Sequence, residues 1–304
     1  MTVRAVSLAL ILAVMAVTGC RKVPVAQGLA GDSVVLAERL ARLDWSLAHP
    51  DSVAAGKPLA LWKLPDHLKE ISGLVLTADG RMLTHGDEHG TVFEVDYRRG
   101  VIVKEFTLGS PAVHGDFESI AIAGDTVMLF TSDGILYRFR EGADKAVVTY
   151  TRLDTELGSE CEFESMVFDA PSKSLLLACK KVHDKALKDS LVIFRYPLAP
   201  GADGRKVKVS HLAIAIAKVI GSNGWGGFHP SEMTIDPISG NYVLLASLEK
   251  ALAEITPTGD VIFARPLPPG HDQPEGLAIT KDHLLIISDE AKGGPAAITL
   301  YRWP

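Results

Sequence analysis

The sequence is short of basic residues and cysteine, and it has no long apolar run. Its 31 lysines and arginines are outnumbered by 37 acidic residues, so no basic excess indicates nucleic-acid binding. The longest apolar run, from Ala5 to Val17, covers 13 residues, fewer than the roughly 20 that a membrane-spanning helix needs. The sequence also lacks a G-x-S-x-G elbow, a phosphate-binding glycine loop and a C-x-x-C pair, so serine-hydrolase, nucleotide-binding and thiol-redox chemistry have no sequence signal.

The first 20 residues differ from the rest of the chain and are typical of an export signal. Arg4 precedes the apolar run, and Val17-Thr18-Gly19-Cys20 closes it with small residues. These four residues resemble a bacterial lipobox, which implies cleavage before Cys20 and lipid attachment, including palmitate, to its thiol. A plain signal peptide that contains a cysteine is the alternative. Arg21 is not the aspartate that retains such lipoproteins in the inner membrane, so we expect a lipid-anchored protein of the cell envelope, on the outer membrane and facing the periplasm.

The other two cysteines, Cys161 and Cys179, then lie in a compartment where thiols oxidise. The pattern from Phe163 to Lys180 predicts a β-hairpin in which Glu164 pairs with Cys179 and Cys161 lies just beyond the ladder. A disulfide and two buried free thiols are both compatible with this register.

A short sequence motif recurs along the chain: an acidic residue, a small residue and then alternating apolar residues. The glutamates of this motif are called the anchor glutamates below. They lie 43 to 68 residues apart and are Glu70, Glu118, Glu164, Glu232 and Glu275. Each interval contains several short β-rich runs separated by Asp, Gly and Pro turns. A period of roughly 40 to 50 residues with several strands is typical of propeller blades.

We therefore predict an all-β fold, a β-propeller of five blades with four antiparallel strands each, over residues 58–304. The last unit has only three strands, so we expect Pro58 to Leu64 to supply its fourth and close the ring. Six blades are the alternative, if Lys185 to Ile220 holds more strands. Residues 21–57 are interpreted as a tether followed by a short amphipathic helix, from Ser33 to Leu43.

If each anchor glutamate begins the innermost strand of its blade, all five form a ring at one mouth of the central channel. The structural alternative is that they accept amide hydrogen bonds between blades. The functional alternative is a ligand site or a Ca²⁺ or Mg²⁺ site, because such cations prefer oxygen ligands. The candidate metal ligands are Glu118, Glu164 and Glu275.

Three histidines precede anchor glutamates by three or four residues: His114, His229 and His271. Loops that enter inner strands crowd the channel mouth, so we expect these imidazoles and the anchors to form a polar ligand pocket. Lys180 and Lys181 stand where other units have acids such as Asp289 after the second strand, and they could hold an anionic group there.

Four short motifs resemble those of the SdiA-regulated family of bacterial exported proteins. They are Glu70-Ile71-Ser72-Gly73-Leu74, Asp116-Phe117-Glu118-Ser119-Ile120, Pro274-Glu275-Gly276-Leu277-Ala278 and Ser288-Asp289-Glu290. The resemblance runs from about Pro58 to the C-terminus. It implies a propeller-like fold and no established reaction. Phytase-like relatives of that family hold calcium with acidic residues at the channel.

Our leading hypothesis is a lipid-anchored extracytoplasmic propeller that binds a small ligand, a divalent cation or a protein partner at the channel mouth. The rival hypothesis is a calcium-dependent hydrolase of the phosphoesterase or lactonase type. A purely structural scaffold is a third class. The sequence names no substrate.

Overall fold

Helix α1 (Ser33–Ala48) and strand β1 (Ala60–Lys63) come first in the computed structural model, which describes residues 33–54, 56–198 and 208–304. The expected signal peptide, Cys20 and the tether lie outside these residues. Helix α1 extends five residues beyond the predicted end at Leu43, and Leu43 and Leu47 pack against the propeller. Among the described residues, no helix has the length and apolar character needed to cross a membrane.

The remaining strands form antiparallel sheets in chain order, and each sheet is one blade. Blade 1 contains β2 (Ile71–Leu76), β3 (Met82–Gly86), β4 (Thr91–Asp96) and β5 (Val101–Leu108). Blade 2 contains β6 (Phe117–Ala123), β7 (Thr126–Thr131), β8 (Ile135–Arg140) and β10 (Tyr150–Asp154). Between β8 and β10, the two-residue strand β9 (Val147–Val148) pairs in parallel with β5 and links the two blades.

Blades 3 and 4 follow the same order. Blade 3 contains β11 (Cys161–Asp169), β12 (Ser174–Val182), β13 (Ser190–Pro197) and β14 (Ser210–Ala215), followed by the five-residue helix α2 (Ile216–Ile220). Blade 4 contains β15 (Glu232–Ile235), β16 (Tyr242–Ala246), β17 (Ala251–Ile255) and β18 (Val261–Pro266).

Blade 5 combines the two ends of the domain. Its strands are β19 (Pro274–Ile279), β20 (Leu284–Asp289), β21 (Ala297–Arg302) and β1, which pairs with β21. Trp62 of β1 also reaches blade 1, where its Nε1 donates to the carbonyl of Tyr97 at 2.8 Å. Its ring lies where a side chain at Gly100 would have to be, since a Cβ there would come within 2.3 Å of it. The strand from the N-terminal side therefore closes the ring, as predicted.

The innermost strands β2, β6, β11, β15 and β19 each contact the next around the ring, and β19 contacts β2. Five buried apolar clusters fill the five interfaces between neighbouring blades. This arrangement confirms the all-β propeller with five blades. The six-blade alternative is wrong, because the stretch that could have held a sixth blade supplies β13, β14 and α2 of blade 3.

Two stretches whose residues favour a single strand are divided in the structure. The stretch from Ala146 to Leu153 divides into β9 and β10, which belong to different blades. The stretch from Lys208 to Ile220 becomes β14 and then α2. Both stretches read as continuous β-rich runs, because local propensity does not show where a strand changes its partner.

Candidate functional site

Three of the anchor glutamates occupy β-bulges. The pairing between the first and second strands of a blade slips at one residue, which is Glu118 in blade 2, Glu164 in blade 3 and Glu275 in blade 5. A bulge leaves one residue unpaired and redirects its side chain. The three carboxylates consequently converge at one mouth of the channel instead of following the strict alternation of their strands.

The other two anchors are not equivalent to these three. In blade 4, Glu232 pairs in regular register with Leu245, so it occupies the place that Ser119 and Ser165 hold in blades 2 and 3. The residue at the bulge place is Ser231. The predicted ring of five glutamates at the mouth is therefore wrong for Glu232, because aligning the repeats by their acids shifts this unit by one residue.

In blade 1 the anchor glutamate lies still further from the irregular pairing than it does in blade 4. Its irregular stretch covers Ser72 and Gly73, and Glu70 lies before β2, where it pairs with Lys69 at 3.0 Å. Ser72 and Ser231 each donate a hydrogen bond to a carbonyl of the next blade, at 3.1 Å in both cases. Two of the five bulge places thus carry an interblade serine, and three carry a glutamate.

The side chain of Glu232 contacts the inner strands of three other blades. Its side chain is buried, and Oε1 accepts hydrogen bonds from Ser119 Oγ at 3.1 Å and Ser165 Oγ at 3.0 Å. Its Oε2 accepts from the amide of Leu74 at 3.3 Å. Blade 4 is therefore tied to blades 1, 2 and 3 by one carboxyl group, which is the interblade role considered for all five anchors. Burial raises the pKa of Glu232 well above its ordinary value, and these hydrogen bonds oppose part of that shift.

Lys180 is the counter-ion of the three mouth glutamates. It lies in β12, and its Nζ is 2.7 Å from Glu164 Oε1. Burial opposes its charge, yet Glu164, Glu118 and Glu275 together raise the pKa of Lys180. In the sequence, Lys180 is a lysine at a place where other units have acids, and the structure shows that it faces the carboxylates.

The three carboxyl groups differ in protonation because they share this one cation. Burial, followed by the charge of Glu164, raises the pKa of Glu118 to about 10. Burial also raises the pKa of Glu164, and Lys180 counteracts that shift. Burial and the charge of Glu164 raise the pKa of Glu275 to about 7, with Ser247 donating to it at 3.2 Å. At neutral pH the cluster thus holds a neutral acid, an ion pair and a carboxyl group that titrates.

Replacing Glu118 with glutamine is expected to stabilise the protein increasingly as pH rises. Because the folded pKa exceeds the unfolded value of 4.5, the contribution of Glu118 to stability is fully present below pH 4.5 and is lost as pH rises through about 10. Glutamine keeps the neutral, hydrogen-bonding form at every pH. We expect a gain of roughly 2 kcal/mol in the free energy of unfolding at pH 8 and little change at pH 4.5, measured by urea unfolding.

Glu38→Gln on the exposed face of α1 is the control for this change, because it is the same substitution at a solvent-exposed carboxyl group away from the channel. A gain for Glu118→Gln that is the same at both pH values would contradict the assigned protonation of Glu118.

A pocket of about 560 Å³ opens beside the cluster and is called the mouth pocket below. Glu275 and Lys180 form part of its wall, together with residues from the loops of blades 4 and 5. Its other charged residues are Lys250, Lys292 and Asp272. Its uncharged polar residues are Ser231, Ser247 and Gln273. Asp272 lies 3.7 Å from Lys250, a separation at which an exposed pair interacts only weakly.

His229 is the one predicted histidine that lines the mouth pocket. Its Nδ1 lies 2.7 Å from Glu249 Oε1, and its backbone amide donates to Glu249 Oε2 at 3.1 Å. Glu249 comes from the loop after β16, so blade 4 fixes the imidazole from two sides. Nε2 is the ring nitrogen left for a ligand.

The other two histidines do not join His229, so the predicted convergence of three imidazoles does not occur. His114 is exposed at the rim, where its ring lies 4.2 Å from the ring of His89. His271 is buried between Asp289 Oδ2 at 2.6 Å and Tyr301 Oη at 2.8 Å. Burial and the charge of Asp289 raise the pKa of Tyr301 to about 12. The loop before β19 is thereby clamped to β20 and β21.

Cys161 and Cys179 form a disulfide, with their Cα atoms 5.7 Å apart. The bulge at Glu164 makes Phe163 the partner of Cys179, so the predicted pairing of Glu164 with Cys179 is wrong by one residue. The disulfide joins β11 to β12 at the residue before Lys180.

The donor set at the mouth does not fit a calcium ion well. Within the described part of the chain, no three or more His, Cys, Asp or Glu side chains are arranged to hold a metal ion. Ca²⁺ takes six to eight oxygen ligands, whereas here a lysine ammonium already lies against Glu164. Calcium binding by Glu118, Glu164 and Glu275 stays a prediction.

Several site residues had little or no sequence signal. Glu249 has only the weak signal of an acid in a turn, and Ser247 and Lys250 have none. Each lies in a loop that reaches the channel mouth only when the ring closes. Lys180 has a sequence signal, because it stands where other units have an acidic residue.

These features define a β-propeller protein with a charged pocket at one channel mouth. No family model matches the chain, and no curated protein matches it. Its likeness to the SdiA-regulated family therefore stays a prediction.

Solved structures do resemble it. The PQQ-bound aldose sugar dehydrogenase from Streptomyces coelicolor is 14% identical with a TM-score of 0.51, over 82% of this chain and 99% of that one. A luciferin-regenerating enzyme is 10% identical with a TM-score of 0.52, over 80% and 95%. A protein of unknown function from Bacteroides caccae is 13% identical with a TM-score of 0.40, over 68% of this chain and 64% of its own length. The likeness to the first two supports the fold alone, because their identities are this low.

Proposed function

We propose that the protein binds a small anionic molecule in the mouth pocket, as a lipid-anchored propeller of the cell envelope. The observation that carries the proposal is that the pocket wall combines three lysines with Glu275, whose pKa of about 7 lets it lose its charge near neutral pH. Ligand sites combine a concave pocket with a few convergent polar groups and perturbed pKa values.

The charge of the pocket favours an anion. Lys180, Lys250 and Lys292 contribute three positive charges, and Asp272 removes one. When Glu275 is protonated, the lining has a net charge near +2, which falls to near +1 when Glu164, the partner of Lys180 outside the lining, is counted. Ser231 and Ser247 already donate to Pro274 and Glu275, but the Gln273 amide has a second hydrogen besides the one it donates to Glu290. That hydrogen suits a carboxylate or sulfate oxygen.

Two features support the envelope location. The lipobox-like residues before Cys20 lie outside the described residues and remain a sequence argument. The disulfide between Cys161 and Cys179 fits an oxidising compartment.

Anion binding is expected to weaken as pH rises through 7. The charges that face Glu275 are Glu164, Lys180 and Glu290, and below pH 7 Glu275 itself is mostly neutral. Its ionisation places a negative charge beside the anion, which costs about 1 kcal/mol at 4 Å in water-like surroundings. We therefore expect the Kd for acetate or sulfate, neither of which titrates between pH 6 and 8.5, to rise about fivefold over that range in an NMR titration.

Glu275→Gln should hold the Kd at its low-pH value throughout. Glu105→Gln, which removes a carboxylate paired with Lys145 on the outer side of blade 1, should keep the wild-type pH dependence. Absence of saturable binding at pH 6 would refute the proposed function. An unchanged pH dependence in Glu275→Gln would remove Glu275 from the site.

A further inference from the structure

A second pocket adjoins the mouth pocket and is called the blade 3–4 pocket below. Its volume is about 520 Å³, and it lies between the end of β12, helix α2 and the segment before β15. Lys180 and His229 line both pockets. The two cavities are therefore neighbours on either side of these two side chains.

The blade 3–4 pocket differs from the mouth pocket in chemistry. Its wall is apolar, with Val182 from β12, Ile216 and Ile220 from α2, and Phe228. Phe228 is buried, and the two isoleucines are half-buried, so they leave apolar surface facing the cavity. The mouth pocket is lined almost entirely by charged and polar side chains.

The rim of the blade 3–4 pocket is positively charged. Lys181 and Lys188 stand at its edge beside Lys180, and Asp189 is the only acid in its lining. Apolar walls under a cationic rim complement a molecule that has an apolar part and an anionic group. A neutral hydrocarbon would leave the lysines unused, and a purely polar anion would leave the apolar wall uncovered.

His229, which lines both pockets, is held in a fixed orientation. Glu249 fixes its Nδ1 and its backbone amide. The ring also lies over Gly227, where an added Cβ would come within 2.5 Å of Cε1. Its position between the cavities thus depends on a glycine on one side and a carboxylate on the other.

We propose that the ligand is an anion with an apolar chain, whose charged head lies in the mouth pocket beside Lys180 and His229 and whose chain lies on Ile216, Ile220 and Phe228. This inference rests on the proposed function, because it extends the same site. It names the ligand class as amphiphilic organic anions, such as fatty or aryl carboxylates, and assigns the apolar contacts to α2.

The test uses a series of linear carboxylates, acetate, butyrate, hexanoate and octanoate, titrated at pH 6 by NMR. All four carry the same head, so differences in Kd report the chain. Each buried methylene is worth about a fourfold change in Kd at most, and we expect the Kd to fall at least tenfold from butyrate to octanoate.

Ala217→Trp fills the blade 3–4 pocket from an exposed position on α2, with Ala37→Trp on the exposed face of α1 as its matched control. We expect Ala217→Trp to abolish the dependence on chain length and to leave acetate binding unchanged. Ile220→Thr, a smaller change, should reduce the dependence. Unchanged thermal unfolding midpoints show that both variants fold.

The outcomes separate the two proposals. If acetate binds and the Kd does not depend on chain length, the mouth pocket stands and the subsite is refuted. If octanoate binds equally well to wild type and Ala217→Trp, the chain lies elsewhere and the subsite is again refuted. If none of the four carboxylates binds, the proposed function fails first.

Discussion

Replacing Glu232 with alanine is expected to lower the free energy of unfolding by about 3 to 5 kcal/mol. The change removes the acceptor of the Leu74 amide and of the hydroxyls of Ser119 and Ser165, all of them inside the channel. A buried donor left without an acceptor costs about 1 to 3 kcal/mol. The carboxyl group also leaves a cavity where four blades meet. Urea unfolding at pH 5 measures the loss, since there the raised pKa of Glu232 costs least.

Glu232→Gln is the matched variant. Its oxygen can still accept from the serines, but its amide cannot accept from Leu74, so we expect about a third of the loss seen with alanine. A loss below 1 kcal/mol for Glu232→Ala would show that the blades hold together without this carboxyl group.

Replacing Lys180 with methionine is expected to weaken anion binding at least tenfold and to destabilise the protein by about 2 kcal/mol at pH 8. Met keeps the length and packing of the lysine stem but leaves Glu164 and its neighbours without a cation. The full cost of breaking a buried pair is reduced here, because the Lys180 side chain is 35% exposed. The destabilisation should be smaller at pH 5, where Glu164 and Glu275 take up protons more readily.

Lys63→Met is the control, because it removes the same charge from an exposed side chain of β1 that lines neither pocket. Acetate titration at pH 6 and urea unfolding at pH 5 and 8 measure both effects. Equal effects of the two substitutions would show that net charge, not the ion pair with Glu164, determines binding and stability.

Much of the fold was predictable from the sequence. The period of the repeats predicted five blades with six as the alternative, and the three strands of the last unit predicted the closure by β1. Both follow from local properties: β-rich runs, turn residues between them, and a count. The pairing of β1 with β21 then supplies hydrogen-bond partners to the outer edge of β21, which the last unit alone leaves unpaired.

The candidate site was predictable only in part. The repeated motif predicted Glu118, Glu164 and Glu275 as candidate metal ligands, and Lys180 stood out as a lysine where other units have acids. It also grouped them with Glu70 and Glu232, because all five have similar neighbours. One residue of register separates a bulge position from a regular one, and in a strand that difference turns the side chain to the other face. The residues of the repeated motif do not reveal this one-residue difference in register.

The sequence by itself determined that the chain repeats a β-rich unit, which predicted a propeller of five or, alternatively, six blades, and it placed a glutamate near the start of every inner strand. Only the tertiary structure decided what those acids do. Glu232 lies inside the channel and joins four blades, whereas Glu118, Glu164 and Glu275 share Lys180 beside a pocket. The physical reason is that burial and neighbouring charge set the protonation of a carboxyl group, and both arise from residues far apart in sequence that the closed ring brings together.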